Sequence, residues 1–228
     1  MDTTKSLLRI RVGRSTDTLA RLQTAVMKSV NARRNGTGNY QTVLFSPVDA
    51  WAVAPDGYVA VVRANPYRVG WIPPAGAAVI GPAVFHRPVR ISQAEKEFIA
   101  SGAGGWRGLT SVTLVKLTSR SGGPSSRPTP PEPLPVKSLW FAKSKPAVNL
   151  RDDRWPLLDE QGRLWVQRSL PFRMKVSVFD VFDRRGHLVE RVELPEGSRL
   201  VGFDQSWIYA ARKDADDFEH LQRFPLAP

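Results

Sequence analysis

An all-β fold is what this 228-residue chain predicts. Apolar and polar residues alternate with period two through most of it, glycine, proline, asparagine and aspartate punctuate the runs, and helical periodicity is almost absent. The third observation is a self-similarity: two stretches of alternating runs match each other in order and in the placing of their turn glycines.

The runs give strands at Leu7 to Val12, Thr18 to Gln23, Tyr40 to Phe45, Trp51 to Ala54, Tyr58 to Arg63, Tyr67 to Ile72 and Ala78 to Phe85. Further strands fall at Leu164 to Arg168, Val176 to Phe182, Leu188 to Leu194, Leu200 to Phe203, Trp207 to Ala211 and Phe218 to Phe224. One short helix, near 92–101, interrupts them. Ser92 and Glu95 have capping-box spacing: the serine hydroxyl accepts from the Glu95 N–H while the carboxylate reaches back to the Ser92 N–H, and Gly102 closes the helix. From Gly102 to Pro135 the chain turns rich in Gly, Ser and Pro, with one alternating run at Ser111 to Leu117. Residues 119–135 carry too little apolar surface to offset their ordering entropy. They read as a disordered linker between an N-terminal unit, 1–118, and a C-terminal unit, 136–228.

In the repeat, Ala54-Pro55-Asp56-Gly57 before YVAVVR matches Asp159-Glu160-Gln161-Gly162 before RLWVQR. Both strands end in arginine, Arg63 and Arg168, and second turn glycines, Gly76 and Gly186, follow the next strand. The glycine spacing is 19 in one copy and 24 in the other, and the five extra residues fall in the loop after Arg168. A third, degenerate copy runs from LVGFD through WIYAARK to FEHLQRFPL and lacks the turn glycine. Each full unit is four short antiparallel strands over roughly 40 to 45 residues, the size of a propeller blade. The expected architecture is a partial β-propeller of about three to four such blades, with one helix and a disordered insertion.

The run from Leu158 to Leu226 resembles the C-terminal blades of bacterial six-bladed β-propellers of the NHL-like or TolB-like type. In that family D-x-x-G-x-[LI]-[WY]-V and V-F-D-x-x-G recur, and here they stand at Asp159 to Val166 and Val181 to Gly186. The stretch SPVDAWAVAPDGYVAVVRANPYRVGWI is similar to an earlier blade. The resemblance implies a ring of blades around a channel and no particular activity. It also implies a fragment, or a shortened gene product, of a larger ring, since three to four blades do not close six. Related propellers are often exported, and any export signal would lie upstream, so the compartment is left open. Leu7 to Val12 can supply the strand missing from the last blade. Otherwise the open sheet edges predict self-association.

Composition narrows the function. Lys and Arg number 33 against 21 Asp and Glu, a formal net charge of +12. The surplus sits in residues 1–48 (+6) and 113–151 (+6), whereas 152–228 carries −2. Neither basic stretch is interleaved with stacking aromatics, so both read as solvated surface rather than a nucleic-acid face. No run reaches the roughly 18 apolar residues of a membrane span, and MDTTKSLLRIRVGRS lacks the apolar stretch of a signal peptide. Cysteine is absent, which excludes disulfides and Cys-based zinc or redox sites. His86 and His187 have no metal-ligand spacing, Asp214 to Asp217 lack that of a calcium loop, and no cofactor fingerprint occurs.

The aromatics Trp51, Trp71, Trp155, Trp165, Phe179, Phe182 and Trp207 fall on strands of the repeat and read as packing between blades. Asp152, Asp153 and Asp159, beside Arg151 and Arg154, are the acid/base candidates for a hydrolase or lyase, although an ion-pair strip explains them more simply. What remains is the loop that changes length between copies. Arg63, Asn65 and Tyr67 in one unit, with Arg168, Phe172 and Arg173 in the other, are the candidate ligand residues, arginine beside aromatic suiting anionic or peptide partners. Alternatively, Arg63 and Arg168 pair with carboxylates on the next blade. The reading is a non-enzymatic binding scaffold for a protein, peptide or small anionic ligand, with no metal and no cofactor. A propeller enzyme and a basic nucleic-acid surface are the alternatives.

Overall fold

The computed structural model describes residues 4–10, 16–32, 38–101, 136–148 and 156–226. It is mostly β, with several small antiparallel sheets, none closed on itself. Strands β1 (Thr4–Ile10) and β2 (Thr16–Gln23) form a hairpin, as do β3 (Met27–Ala32) and β4 (Gly38–Thr42). A four-stranded meander follows: β5 (Ala50–Val53), β6 (Val59–Ala64), β7 (Tyr67–Ile72) and β8 (Val79–Ile80). Helix α1 (Gln93–Ala100) lies between two short paired strands, β9 (Val89–Arg90) and β10 (Ser144–Lys145). A second four-stranded meander comprises β11 (Leu157–Leu158), β12 (Leu164–Gln167), β13 (Ser177–Phe182) and β14 (Leu188–Leu194). A three-stranded sheet ends the described chain: β15 (Ser198–Phe203), β16 (Trp207–Lys213) and β17 (Glu219–Pro225).

These sheets stack face to face, because the central strands bury both of their faces. From β12 and β13, Leu164, Val166 and Phe182 pack on Val62, Val69 and Trp71 of the first meander. Their neighbours Trp165, Phe179 and Val181 point the other way, onto Leu200, Ile208 and Ala210 of the three-stranded sheet. On the far side of the first meander Val59 and Val61 meet Leu22 and Leu19 of β2. The order of layers is therefore hairpin, first meander, second meander, three-stranded sheet. Contact between the two meanders is close enough to need glycine twice: a Cβ at Gly81 would run into the backbone of Gly186, and one at Gly186 into the carbonyl of Val69.

The repeat is written most clearly in its turns. In the turns starting at Ala54, Asp159, Asp183 and Asp214, the first residue's N–H donates to the carbonyl four positions on, and the fourth residue's N–H donates back to the first carbonyl. The fourth position has positive φ in all four: Gly57, Gly162 and Gly186 at +81°, +73° and +77°, and Asp217 at +65°. Where the first residue is aspartate, its Oδ1 accepts from the N–H groups of the third and fifth residues, as Asp183 does from Arg185 and His187 at 2.8 Å each. The degenerate third copy thus keeps the turn and puts an aspartate where the others have glycine.

Several expectations are corrected. The run Ala78 to Phe85 pairs regularly only at Val79–Ile80; Pro82 offers no N–H, and the chain then follows β7 through single bonds from Gly81 to Val69 and Val84 to Tyr67. β1 pairs with β2 and not with β17, so residues 7–10 do not supply the strand missing from the three-stranded sheet; Arg11 and Val12 lie outside the described residues. Trp71 and Trp165 are buried, but Trp51 is 38% exposed and Trp207 lies half-buried beneath the Arg223 guanidinium. Ser92 does cap α1, accepting from Glu95 N–H at 3.2 Å, yet the Glu95 carboxylate turns away to Lys145 instead of closing the capping box. Trp155, Asp152, Asp153, Gly102, the Ser111 to Leu117 run and the 119–135 linker lie outside the described residues.

Candidate functional site

The two arginines that end the repeated strands face the preceding layer, and each holds a carboxylate of its own sheet rather than of the next. Arg63 donates to Asp49 Oδ2 at 2.7 Å and also reaches the Arg21 carbonyl. Asp49, just before β5, further accepts from the N–H groups of Gln23 and Ala64 at 2.8 and 3.0 Å. Arg168 donates to both oxygens of Asp180 on β13, at 3.2 and 3.3 Å. Asp180 is fully buried in the middle of an apolar strand, where an unpaired charge would be very costly. Arg191 at 2.8 Å and the Tyr67 hydroxyl at 3.0 Å complete its shell. Burial, then the Asp180 charge and the hydrogen bond to it, hold the Tyr67 phenol well above its ordinary pKa. His86 lies 3.4 Å from Arg168, and its pKa is lowered by burial first and by the Arg168 charge second.

The five extra residues of the second meander build a separate feature. Between β12 and β13 the chain runs from Arg168 to Val176, where β6 and β7 are joined by Asn65 and Pro66 alone. This longer loop is fastened at several points. Ser169 N–H and Oγ donate to the carbonyls of Ala147 and Val148, and the Phe172 ring packs on Phe98 of α1 at 5.4 Å. Lys145 donates to the Leu170 carbonyl at 2.7 Å while pairing with Glu95 Oε1 at 2.7 Å, both side chains more than nine-tenths buried.

Beneath the loop opens a cleft of about 250 Å³ lined by Glu95, Lys145, Arg168, Phe172 and Arg173 among others. Two of the lining residues carry a polar group without a partner among the described residues. Glu95 Oε2 is one, and it is buried behind the cleft wall rather than open to it. Arg173 is exposed, and its guanidinium makes no ion pair or hydrogen bond among the described residues. Arg173 also sits at φ +81°, in the left-handed region that costs a side-chain-bearing residue free energy and that concentrates at ligand sites.

Of the six candidate residues, then, Arg168, Phe172 and Arg173 come together at this cleft, with Arg168 already committed to Asp180. Arg63 belongs to the Asp49 cluster, Asn65 is exposed in the short turn, and Tyr67 is buried beneath Asp180. Asp159, the acid/base candidate within the described residues, spends its oxygens on the turn and on Arg163 and Trp165 Nε1. A larger cavity, about 630 Å³, separates the β1–β2 hairpin from β5 and β6, but its lining is mainly apolar. Among the described residues that line it Arg9 is the one with a charged side chain, and it is taken up by the carbonyls of Pro73 and Pro74.

Lys145 and Glu95 were not legible as site residues, because nothing in the local pattern links a helix N-terminus to a lysine fifty residues away. Asp180 carried a signal: a carboxylate inside VFDVF must find cations. Among the described residues no group of three or more metal-ligating side chains converges, and no helix is long and apolar enough to cross a membrane. Comparison with family models, with curated proteins and with solved structures finds no match to this chain.

Proposed function

We propose that the chain is a non-enzymatic binding module, that its stacked sheets are blades of a β-propeller, and that the cleft under the 168–176 loop takes a small anionic group. The propeller reading is supported by two meanders of identical topology packed face to face, each with both faces of its central strands covered. The binding reading rests on one observation: a cation without a partner among the described residues, Arg173, held in a strained conformation at a pre-formed polar cleft. The third sheet has one strand fewer than the meanders, and among the described residues the outer edge of β17 is unpaired. That edge is the surface through which the protein self-associates. Light scattering that shows a monomer across the accessible concentration range would exclude it.

The cleft is tested with a carboxylate and its uncharged analogue. Calorimetric or NMR titration with 4-methylpentanoate is expected to perturb the Phe172 and Arg173 signals, and the corresponding amide to leave them in place. Arg173→Ala weakens the carboxylate at least tenfold, whereas Arg63→Ala leaves it unchanged because Arg63 is already consumed by Asp49. Equal loss in the two variants, or none in either, overturns the assignment.

A further inference from the structure

The pattern of residues along the open edge of β17 fixes what can pair with it. Leu226 N–H donates to the Ser206 carbonyl and Asp214 N–H to that of Phe218, and the register of β16 with β17 runs between these two bonds without a bulge. Bonded and non-bonded pairs alternate along an antiparallel ladder, so His220, Gln222 and Phe224 spend their backbone groups on β16. Glu219, Leu221 and Arg223 therefore turn theirs to the edge. Their side chains lie on the outer face of the sheet, opposite the face through which Ile208 and Phe224 pack onto the second meander. Leu221 is 68% exposed, the Arg223 guanidinium lies over the Trp207 ring at 4.4 Å, and the exposed Glu219 touches Arg199 at 3.7 Å.

Along this edge an acid and a base stand symmetrically about an apolar residue. A second strand of the same sequence, laid antiparallel with Leu221 opposite Leu221, sets Glu219 of each copy against Arg223 of the other. Each of these pairs exchanges both backbone bonds, so the outward N–H and C=O groups of all three residues are used. Opposite charges directly across a ladder stabilise it and like charges weaken it. Other two-fold registers do worse. Centring on Gln222 puts Glu219 against Pro225, which has no N–H to give, and centring on Glu219 or Arg223 opposes like charges. Centring on His220 leaves Glu219 facing Leu221 and runs Arg223 into the turn at Asp217, where φ is +65°. Resting on the self-association reading above, we infer that two copies of the chain join through β17, antiparallel about a two-fold axis at Leu221, into one continuous sheet with three strands from each.

Sedimentation equilibrium of the full chain at low salt, where exposed charges act most strongly, tests the register. Glu219→Arg and Arg223→Glu are each expected to weaken the dimer about tenfold, and an equimolar mixture of the two variants to restore it, because each brings the charge the other lacks. The chain has no cysteine, so Leu221→Cys introduces a single thiol. Directly opposed Cα atoms, about 5.5 Å apart, are within disulfide reach, and mild oxidation is expected to cross-link this variant. Glu219→Cys, about 13 Å from its own counterpart in this register, is not cross-linked. All three side chains are exposed, so the substitutions leave the fold in place. Failure of the mixture to restore the dimer, or cross-linking through Glu219→Cys instead of Leu221→Cys, overturns this register and leaves self-association at the β17 edge standing. A monomer at every concentration overturns both.

Discussion

In the first meander the cross-strand pair that faces the next layer is Ala60 with Trp71; in the second the equivalent pair is Trp165 with Val181. The bulky partner has moved from the third strand to the second, and the small one has moved the opposite way. Each tryptophan is essentially excluded from solvent. What the repeat preserves is the volume delivered to the space between sheets rather than the residue at a position, as close packing requires. The arginines behave likewise. Arg63 and Arg168 occupy equivalent strand ends, but the carboxylate each holds comes from before β5 in one sheet and from the third strand in the other.

The carboxylates give the largest test of that comparison. Removing Asp180 leaves two guanidinium groups and a phenol around an apolar void, so Asp180→Ala is expected to cost about 3–5 kcal/mol. Asp49→Ala unpairs two backbone N–H groups and an arginine that is 32% exposed and can turn to water, so about 1–3 kcal/mol is expected. Urea denaturation of both variants measures the difference. Equal losses would mean that the two carboxylates are interchangeable despite their different surroundings.

The swapped bulk gives the next. Trp165→Val should destabilise by about 2–4 kcal/mol through the cavity it leaves against Phe179 and Phe203. Adding Val181→Trp restores the arrangement of the first meander, and at least half of the loss should return if pair volume is what counts. No recovery would show that the Trp165 Nε1 bond to Asp159 Oδ2, 2.9 Å long and fixed to the second strand, decides where the ring must be.

How much of this was readable in the chain follows from which interactions are local. The turns at Gly57, Gly162 and Gly186 were legible because aspartate and glycine act within five residues of each other. The paired faces of β12 and β13 were legible from alternation alone. The course of Glu95 was not: the sequence favours a capping box, and the fold overrides it by bringing a buried lysine within 2.7 Å. Trp51 follows a related rule: strand position sets which side a ring faces but not how closely the next layer approaches, and here a cavity opens between the ring and the β1–β2 hairpin. The length of the loop after Arg168 was visible, whereas the cleft it forms depends on α1 and β10, which enter from elsewhere in the chain.

The smallest effect belongs to the third sheet. Asp217 stands at φ +65° in a turn whose three counterparts are glycines, and an L-residue there carries a backbone cost that glycine avoids. Aspartate tolerates this region better than most residues, and it makes one exposed contact with Lys213 at 3.5 Å, a pair worth little in water. Asp217→Gly therefore gives up almost nothing and should stabilise the protein by about 0.5–1 kcal/mol, while Asp217→Val, β-branched at positive φ, should destabilise it. The same change at Gly186 would press on the first meander as well as on φ, so Gly186→Ala should cost more than Gly57→Ala, whose added methyl meets only the Pro74 ring at 3.2 Å. If Asp217→Gly lowers the unfolding midpoint instead, the third turn is held by its aspartate, and the resemblance of its geometry to the other three reflects a different balance of forces.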